Sequence, residues 1–361
     1  MGFEIGHEEA QSMKNAAIIS LKFSPGLYQH AIAYAEAFRF LGFQPILFLN
    51  KKYKFMAKQN EFIHIWSARH IRSTNYSICV FINIHPKNLS ISRELIKSNT
   101  KIAYLYHEPW ENIRNYLREG YIQTCKAIIA NLFSLLMLRK ANIVILPSLY
   151  ALSNYERRDV KWNENYIVIP LLYSDELKGE INLKERPYFS YIGHAVKGHG
   201  FDLFIRCIKY ITKIDEEIKF SVATRNNLSR LIRKDESLRY LINKNKLIFS
   251  HGRPLSDQEI NEYYEKSFSI FNVYRRSTQS GVLAKAFMFG VPVIANNIAS
   301  FPEYIRDGVN GYLINEYDEK IIYDKIKKIK LNFSSFCKEA RASYEENFYW
   351  KNKIELVQKL C

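Results

Sequence analysis

Short apolar runs alternate with amphipathic stretches along the first half of this chain of 361 residues. Residues 31–41 and 121–140 have helical spacing, and residues 23–30 predict a turn ahead of the first of these helices. Continuous apolar runs between helices are typical of a parallel sheet that helices cover on both faces. The runs that predict buried strands are 16–21, 45–49, 78–84, 102–106, 143–146 and 167–170. The first half is therefore predicted to be a doubly wound α/β domain.

The second half repeats this organisation after a polar stretch at residues 173–185. Residues 201–211 have the spacing of an amphipathic helix. Residues 267–314 then read as a strand, a polar loop, a helix, a strand with the sequence GVPVIA, and a further loop and helix. Additional apolar runs predict strands at 188–192, 218–223 and 247–250. The pattern predicts a second doubly wound α/β domain.

Three segments are expected along the chain: a Rossmann-like domain at residues 1–175, a second one at 176–345, and a helix at 346–361 that returns to the first domain. Ligands of open α/β folds bind beyond the carboxyl ends of the parallel strands. Two such domains facing one another would enclose a cleft there, and we expect the functional site in that cleft.

One junction in the second half carries recognisable chemistry. Ser280 and Gly281 stand where the polar loop after the run that ends near Tyr274 becomes a helix. Amide N–H groups in the first turn of a helix lack partners, and the helix dipole places partial positive charge there. The junction therefore predicts a seat for a phosphate group. The other interpretation is that the polar loop merely caps the helix through Ser280.

The charge balance changes the range of expected partners. The formal charge of +16 suits polyanionic partners, namely nucleic acid, an anionic membrane face or a phosphate-bearing substrate. No RNA- or DNA-binding motif accompanies the charge, so we expect no nucleic-acid partner. The basic charge has a second explanation that involves no partner, because an AT-rich genome would also produce an excess of lysine, asparagine and isoleucine.

Cysteine usage and the length of the apolar runs indicate the compartment. The five cysteines are scattered and form no C-x-x-C pair, which disfavours a disulfide scaffold or zinc site and favours a reducing cytoplasm. The longest apolar run, residues 127–138, is shorter than the roughly 20 residues that cross a bilayer. We expect a cytoplasmic protein that is either soluble or peripheral on the inner face of the cell membrane.

Several segments in order resemble the donor-binding half of GT-B-fold glycosyltransferases, particularly the large retaining family numbered four. They are YIGHAVKGHGFDLF from residue 191, HGRPLSDQEINEYY from residue 251, and residues 267–314. The first half matches more loosely, through a turn at Gly26, HEPW from residue 107 and ILPS from residue 145. The resemblance implies a GT-B fold, a nucleotide-sugar donor and a hexosyltransferase-like activity without a metal or other cofactor.

The chain departs from the pattern that the resemblance implies at the donor site. In the family an arginine and a lysine five positions later neutralise the diphosphate, and two glutamates eight positions apart hold sugar hydroxyls and the ribose diol. His194 and His199 stand at the first pair of positions, and Ser277 and Lys285 at the second. All of these side chains are replaced, which leaves the donor and the mechanism open.

The resemblance nevertheless gives each part of the donor site a set of candidates. Gly193, His194, Lys197 and His199 are expected to approach the diphosphate, unless Lys197 is a solvated loop residue and the histidines pack locally. Lys285 is expected to reach phosphate or ribose oxygens, and its other interpretation is a solvent-facing lysine.

Further donor candidates lie in the loop and helix after the strand at 267. Ser277, Thr278 and Gln279 are expected to contact sugar hydroxyls together with Ser280, and Gly281 and Val282 begin the phosphate-binding helix. By resemblance, Gly26 approaches the donor phosphates from the first domain. Arg253 follows the strand where the family contacts the base, although it could equally be a surface charge.

The catalytic candidates are His107 and Glu108, at the end of a buried strand of the first domain. In the family a histidine near this position contacts the sugar that is transferred. A neighbouring carboxylate suggests an acid/base role toward an acceptor hydroxyl. The other interpretation of His107 is a structural histidine at the end of a strand.

A basic, amphipathic helix is expected between residues 121 and 140, where Lys126, Arg139 and Lys140 flank the apolar run. Such a helix could rest on an anionic membrane face. The alternative is a helix buried in the core.

Together these features favour a glycosyltransferase of bacterial surface polysaccharide or lipopolysaccharide synthesis. It would use a nucleotide-sugar and a glycan or lipid-linked acceptor, and would retain the donor's anomeric configuration. A nucleotide-sugar-binding or glycan-binding paralogue that acts as a partner subunit is the main alternative, and a GT-B sugar 2-epimerase is a third. The sugar, the base, the acceptor and the linkage stay open.

Overall fold

The protein is described from a computed structural model. The structure describes residues 14–55, 62–66, 71, 75–110, 113–117, 120–157, 163–184, 186–275 and 279–361. Two parallel sheets with helices around them make up this part of the chain.

The first sheet has seven strands in the order β3-β2-β1-β4-β5-β6-β7, and every neighbouring pair is parallel. Its strands are β1 Asn15–Ser20, β2 Gln44–Leu49, β3 Ile63–Ile65, β4 Ile78–Phe81, β5 Lys101–Leu105, β6 Ile143–Leu146 and β7 Tyr166–Val168. Apolar side chains of the central strands are buried on both faces, which explains the uninterrupted apolar runs in the sequence.

The helices of the first half are α1 Pro25–Phe40, α2 Asn88–Lys97, α3 Ile113–Leu117, α4 Tyr121–Leu138 and α5 Leu149–Glu156. The turn expected at residues 23–30 is wrong for most of its length, because α1 already begins at Pro25. Proline is favoured in the first turn of a helix, where its missing N–H removes no helical bond. Gly26 therefore lies in the first turn of α1.

The second sheet has six strands in the order β10-β9-β8-β11-β12-β13, again all parallel. They are β8 Tyr188–Ile192, β9 Lys219–Ala223, β10 Leu247–Ser250, β11 Ser267–Asn272, β12 Val293–Asn296 and β13 Gly311–Ile314. The sequence did not indicate β13, since its start coincides with the turn-forming Asn310-Gly311 pair.

The helices of the second half are α6 Phe201–Ile211, α7 Ser229–Lys234, α8 Glu236–Asn243, α9 Asp257–Glu265, α10 Gly281–Met288, α11 Phe301–Tyr304, α12 Glu319–Leu331, α13 Phe333–Asn347 and α14 Ile354–Gln358. Among them, α10 is the next element after β11, and α6 follows the loop after β8. The loops that lead from these two strands to their helices carry most of the donor candidates.

Each sheet contains one point where the strand order reverses. In the first sheet β1 has β2 on one side and β4 on the other, and in the second sheet β8 lies between β9 and β11. The connections on either side of such a point run to opposite faces and open a crevice at the carboxyl ends of the strands. The loops after β8 and β11, which hold most of the donor candidates, meet at the reversal point of the second sheet.

The last residues of the chain pack against the first sheet. Trp350, Val357 and Leu360 lie in a buried cluster with side chains of α1 and β1. The Trp350 Nε1 donates a hydrogen bond of 2.6 Å to the Glu36 carboxylate on α1. The C-terminal segment thus ties the two halves together, although the exact domain boundaries stay a prediction.

One face of α4 is apolar and open to solvent. The exposed fractions are 83% for Tyr121, 73% for Ile122, and 55% for both Ile129 and Leu132. The alternative interpretation, a helix buried in the core, is therefore wrong for this face of α4. Among the described residues, no helix combines the length and the apolar character needed to cross a bilayer.

Candidate functional site

The loop after β8 lies against the start of α10. A side-chain atom added to Gly193 would meet the Val282 Cγ2 at 3.6 Å. Further along the same loop, Gly200 has a φ of +71°, and a Cβ there would lie 1.9 Å from the backbone oxygen of Val273 at the end of β11. Only glycine fits this approach. The loop is thereby fixed against the end of β11 and the beginning of α10.

Aromatic and hydroxyl groups connect the loop after β8 to the cap of α10. The His199 ring stacks on Tyr274, with centroids 4.6 Å apart, and the Tyr274 hydroxyl hydrogen-bonds to Ser280. His194 lies edge-on to His199 at a centroid distance of 5.8 Å. The structure therefore brings His194, His199 and Ser280 together, and their contact with a diphosphate stays a prediction.

His194 carries less positive charge than its position suggests. Partial burial, and secondarily the nearby Arg225, lower the pKa of His194. At neutral pH this imidazole is mostly uncharged. It can donate an N–H to an anion but does not supply a full cation.

Lys197 is exposed in the same loop. Its backbone carbonyl accepts a hydrogen bond from Arg275, whose guanidinium also binds the Asp202 carboxylate at 2.6 and 2.7 Å. This bidentate pair holds the loop backbone in place.

The N-terminus of α10 has the geometry of an anion seat. Ser280 caps the helix by accepting a bond of 3.3 Å from the Leu283 amide, which confirms it as the N-cap. The Tyr173 hydroxyl stands over the first residue, where a Cβ on Gly281 would lie 2.6 Å from its oxygen. Glycine is thus required at residue 281 for Tyr173 to approach. The Gly281 and Val282 amides precede the first helical hydrogen bond of α10, which the Leu283 amide makes to the Ser280 carbonyl oxygen.

His107 of the first domain reaches the same region through two other rings. It follows β5, and its ring lies 6.1 Å from that of His30 on α1. The His30 ring in turn meets the edge of Tyr173 at 4.7 Å. Three rings therefore connect the end of β5 to the start of α10 across the two halves.

Both histidines are held neutral. Burial, followed by the neighbouring His107, lowers the pKa of His30 to about 3, and its Nδ1 lies 2.7 Å from the Leu172 carbonyl oxygen. Burial also lowers the pKa of His107, against an opposing effect of Glu108. The His107 Nε2 is shielded from solvent and has no hydrogen-bond partner among the described residues. A buried polar atom without a partner is rare in proteins and points to a ligand.

The remaining first-domain candidates are more open. Glu108 is exposed beside His107, and Gly26 is exposed with nothing within 4 Å of a Cβ built on it. The approach of either residue to a ligand stays a prediction.

Lys285 is not the solvent-facing lysine of the alternative interpretation. Its side chain is 10% exposed, and its Nζ lies 3.1 Å from the Glu176 Oε2 and 3.7 Å from the Asp257 Oδ1. Gln29 of α1 donates to the other Asp257 oxygen at 2.9 Å. The lysine therefore belongs to a polar cluster on α9, α10 and the segment between the domains, reached by α1.

Arg253 has a partner of its own. Arg253 is exposed and pairs with Glu259, the residue that completes the capping box of α9. Contact between Arg253 and the nucleotide base of the donor stays a prediction. Ser277 and Thr278 lie outside the described residues.

A second set of contacts joins the domains through α11 and the residue before the N-cap of α10. The Glu303 carboxylate accepts bonds of 2.8 Å from the Leu149 amide and 2.7 Å from the Tyr150 amide, at the N-terminus of α5. Gln279 and Tyr304 both donate to the Pro147 carbonyl oxygen. Burial raises the pKa of Glu303 despite its two amide bonds. Gln279 thus contacts the first domain.

Metal chemistry has no evident centre in this region. Within the ranges that the structure describes, no three or more His, Cys, Asp or Glu side chains are grouped so that they could hold a metal ion. Metal independence stays a prediction.

The fold and the site define the class. Two facing Rossmann-like sheets, with a helix N-terminus and a glycine-rich loop at the reversal point of the second, are the arrangement of GT-B proteins. HepE of Anabaena, solved in complex with UDP and glucose, has this fold with a TM-score of 0.71 and 14% identity over 96% of this chain and 98% of its own. Sucrose-phosphate synthase of Thermosynechococcus elongatus is similar, with a TM-score of 0.70 and 14% identity over 96% and 98%.

Sequence similarity gives a finer classification than the fold. Residues 186–332, which include the second sheet of the GT-B fold, match the family described as Glycosyl transferases group 1. A curated relative, the "Uncharacterized 41.2 kDa protein in cps region" of Klebsiella pneumoniae, is 25% identical over 171 residues. That alignment takes in 47% of this chain and 44% of the relative's length.

Several residues at the site were not found from the sequence. His30, Tyr173, Glu176, Asp257 and Glu303 all contact a candidate residue or bridge the two halves. His30 follows Gly26 by one helical turn, so a correct assignment of α1 would have drawn attention to it. The others depend on tertiary contacts between distant segments and carry no local signal.

Proposed function

We propose that this protein transfers a sugar from a nucleotide-sugar to a glycan or lipid-linked acceptor, with retention of the donor's anomeric configuration. The observation that carries the proposal is a continuous set of contacts. The β8 loop lies against the capped N-terminus of α10, and the rings of Tyr173 and His30 connect that N-terminus to His107, whose Nε2 has no partner among the described residues. HepE, which has the same fold, was solved with UDP and glucose.

The diphosphate of the donor would sit on the first amides of α10. As the bond between sugar and phosphate breaks, negative charge grows on the leaving diphosphate, and donors fixed in advance stabilise it. The α10 amides, the neutral His194 ring, the His199 ring and the exposed Lys197 would provide those donors. The leaving phosphate oxygen would then accept the proton of the incoming hydroxyl on the same face of the sugar.

His107 would face the sugar that is transferred. Because its pKa is lowered, the neutral ring can exchange a hydrogen bond with a sugar hydroxyl without attracting the diphosphate. Glu108, exposed next to it, would contact the acceptor hydroxyl. Gln279 and Ser280, with Ser277 and Thr278, would bind the remaining hydroxyls.

The test is turnover by the purified full-length chain. A panel of UDP-, GDP-, ADP-, CMP- and dTDP-sugars is incubated with and without glycan and lipid-linked acceptors, and released nucleotide is measured. Release that depends on both one donor and one acceptor, with an α- or β-linkage matching the donor, supports the proposal. Inversion of the anomeric centre would contradict the retaining part alone.

A specific observation favours one alternative, a binding paralogue. Lys285 is engaged with Glu176 and Asp257, and the resemblance drawn from the sequence implies that the family's four donor-site side chains are replaced. Tight binding of a nucleotide-sugar with no turnover on any acceptor would favour a partner subunit over an enzyme.

The description of a relative supports the biological process that we propose for the reaction. The Klebsiella protein is described as lying in a cps region, and we extend this to surface polysaccharide synthesis for the present chain. A lipid-linked acceptor would place the reaction at the inner face of the cell membrane, and the exposed apolar face of α4 offers a means of attachment.

The attachment surface consists of Tyr121, Ile122, Ile129 and Leu132 on α4, with Lys126 exposed between them. Apolar side chains would enter the headgroup boundary while basic residues meet anionic lipid. We expect the protein to sediment with vesicles that contain phosphatidylglycerol and much less with vesicles of phosphatidylcholine alone.

The double variant Ile129→Glu/Leu132→Glu should lose this sedimentation, since it places two carboxylates on the apolar face. Leu331→Glu is the matched control, because Leu331 is 83% exposed at the end of α12 in the other domain. Equal vesicle binding by the double variant, the control and the wild type would exclude α4 as the attachment surface.

A further inference from the structure

The hydroxyl of Tyr173 points at the N-terminus of α10. A Cβ built on Gly281 would lie 2.6 Å from the hydroxyl oxygen and 4.0 Å from the ring carbon that carries it, so the C–O bond is directed toward the first residue of the helix. Tyr173 is 2% exposed, and its hydroxyl has no hydrogen-bond partner among the described residues. Leaving a buried hydroxyl unpaired is unfavourable, so a ligand group is expected beside it.

The backbone of Tyr173 is fixed where the segment between the halves meets the returning C-terminal segment. Tyr173 and Tyr349 form an isolated parallel bridge. The Tyr173 amide donates to the Phe348 carbonyl oxygen at 2.8 Å, and its carbonyl oxygen accepts from the Trp350 amide at 3.2 Å. The edge contact with the His30 ring, at 4.7 Å, restrains the side chain as well. The hydroxyl is thus held in position before a ligand binds, which lowers the entropy that binding costs.

The protonation state of Tyr173 decides which group can pair with it. Burial, followed by the nearby Glu176 and Tyr274, raises the pKa of Tyr173. The phenol therefore stays protonated at neutral pH and can donate a hydrogen bond. It lies beside the Gly281 and Val282 amides, which precede the first helical bond of α10. Three donors at the positive end of a helix suit an anion with several acceptor oxygens, such as a phosphate group.

We infer that the Tyr173 hydroxyl donates a hydrogen bond to the diphosphate of the sugar donor, beside the α10 amides. This inference rests on the proposed function and adds to it a residue from the segment between the halves. A hydrogen bond to the leaving diphosphate strengthens as negative charge grows there, so the hydroxyl assists departure of the nucleotide as well as its binding.

The variant Tyr173→Phe removes the hydroxyl and keeps the ring. The full chain is titrated calorimetrically with UDP, GDP and ADP, and the tightest of these is used for the comparison. Tyr173→Phe should bind it about tenfold more weakly, the effect of one hydrogen bond to a charged group. The corresponding nucleoside, measured by its competition with the diphosphate, should bind the variant and the wild type equally, because it has no phosphate.

Tyr34→Phe is the matched control. Tyr34 on α1 is 1% exposed in the core of the first half, and its hydroxyl is also buried without a partner among the described residues. Both variants should keep the thermal midpoint of unfolding, since neither hydroxyl stabilises the fold, but only Tyr173→Phe should lose affinity for the nucleotide. A clear fall in the midpoint of Tyr173→Phe, or its failure to fold, would show that the hydroxyl is structural and would overturn the inference.

Gly281→Ala tests where the hydroxyl lies. In the wild type the added methyl group would meet the Tyr173 oxygen at 2.6 Å, whereas in the Tyr173→Phe background the ring carbon at 4.0 Å leaves room for it. The alanine should therefore lower the thermal midpoint of the wild type and have little effect in the phenylalanine background. An equal effect in both backgrounds would mean that the hydroxyl does not stand over the N-terminus of α10, and the inference would fail.

The outcomes separate the two levels of inference. Absence of binding by every nucleoside diphosphate would overturn the proposed function and the role of Tyr173 together. Diphosphate binding that Tyr173→Phe leaves unchanged, a loss of affinity equally large for the nucleoside, or a loss shared by Tyr34→Phe would overturn the role of Tyr173 alone. Weaker binding of the diphosphate only, in Tyr173→Phe only, supports it.

Discussion

Replacing His107 with phenylalanine is expected to lower turnover about a hundredfold while leaving the thermal midpoint of unfolding unchanged or higher. Phenylalanine keeps a ring at the end of β5 but removes the nitrogen atoms. The His107 Nε2 is buried without a partner, so the folded protein gains nothing from its polarity in the absence of substrate. A group that is unfavourable for folding but indispensable for turnover is the expected signature of a substrate contact.

The measurement pairs the initial rate of nucleotide release with a thermal melt of the same preparation. His64→Phe is the matched control, because His64 on β3 also has a buried Nε2 without a partner in the described structure and stacks on Trp66. It should show the same unfolding behaviour with an unchanged rate. A large loss of stability in His107→Phe with normal turnover would establish a structural histidine instead.

The second large effect is expected at Gly200, where alanine should lower the free energy of unfolding by about 3 kcal/mol or more. Part of this is the left-handed backbone conformation, at a φ of +71°. The larger part is the contact, because a Cβ would lie 1.9 Å from the Val273 carbonyl oxygen, and neither backbone can yield without moving β8 or β11. Denaturation in urea would measure the difference.

Gly252→Ala separates the two contributions. Gly252 has a similar φ of +84°, but nothing lies within 4 Å of a Cβ at that position. It should therefore lose only the conformational part, about 1–2 kcal/mol. Equal losses in the two variants would mean that the loop after β8 is not held against β11 as described.

Much of the fold could be predicted because the physical cause is local. Strands buried on both faces leave continuous apolar runs, and this is why β1, β4, β5 and β8 were recognisable from the sequence. Local sequence favours the wrong structure at the start of α1, where Pro25 and Gly26 are typical of a turn, and at β13, which begins at a turn-forming glycine. In both cases packing decided between two local possibilities.

The site was predictable in its backbone and less so in its side chains. The seat at Ser280 and Gly281 follows from helix geometry, which the sequence order reveals. The partners of Lys285 do not, since Glu176 comes from the segment between the domains and is brought to α10 only by the complete fold. Electrostatic neighbours of this kind depend on tertiary structure, so a single sequence contains no signal for them.

The contact of Glu303 with α5 has a consequence for how the two halves move. The amides of Leu149 and Tyr150 find their acceptor in the other domain, and the carboxylate finds its donors there. Separation of the halves exposes all of these groups at once, and partial separation satisfies none of them well. Admission of substrate and release of product are thus expected to proceed by a switch between two distinct arrangements rather than by gradual widening.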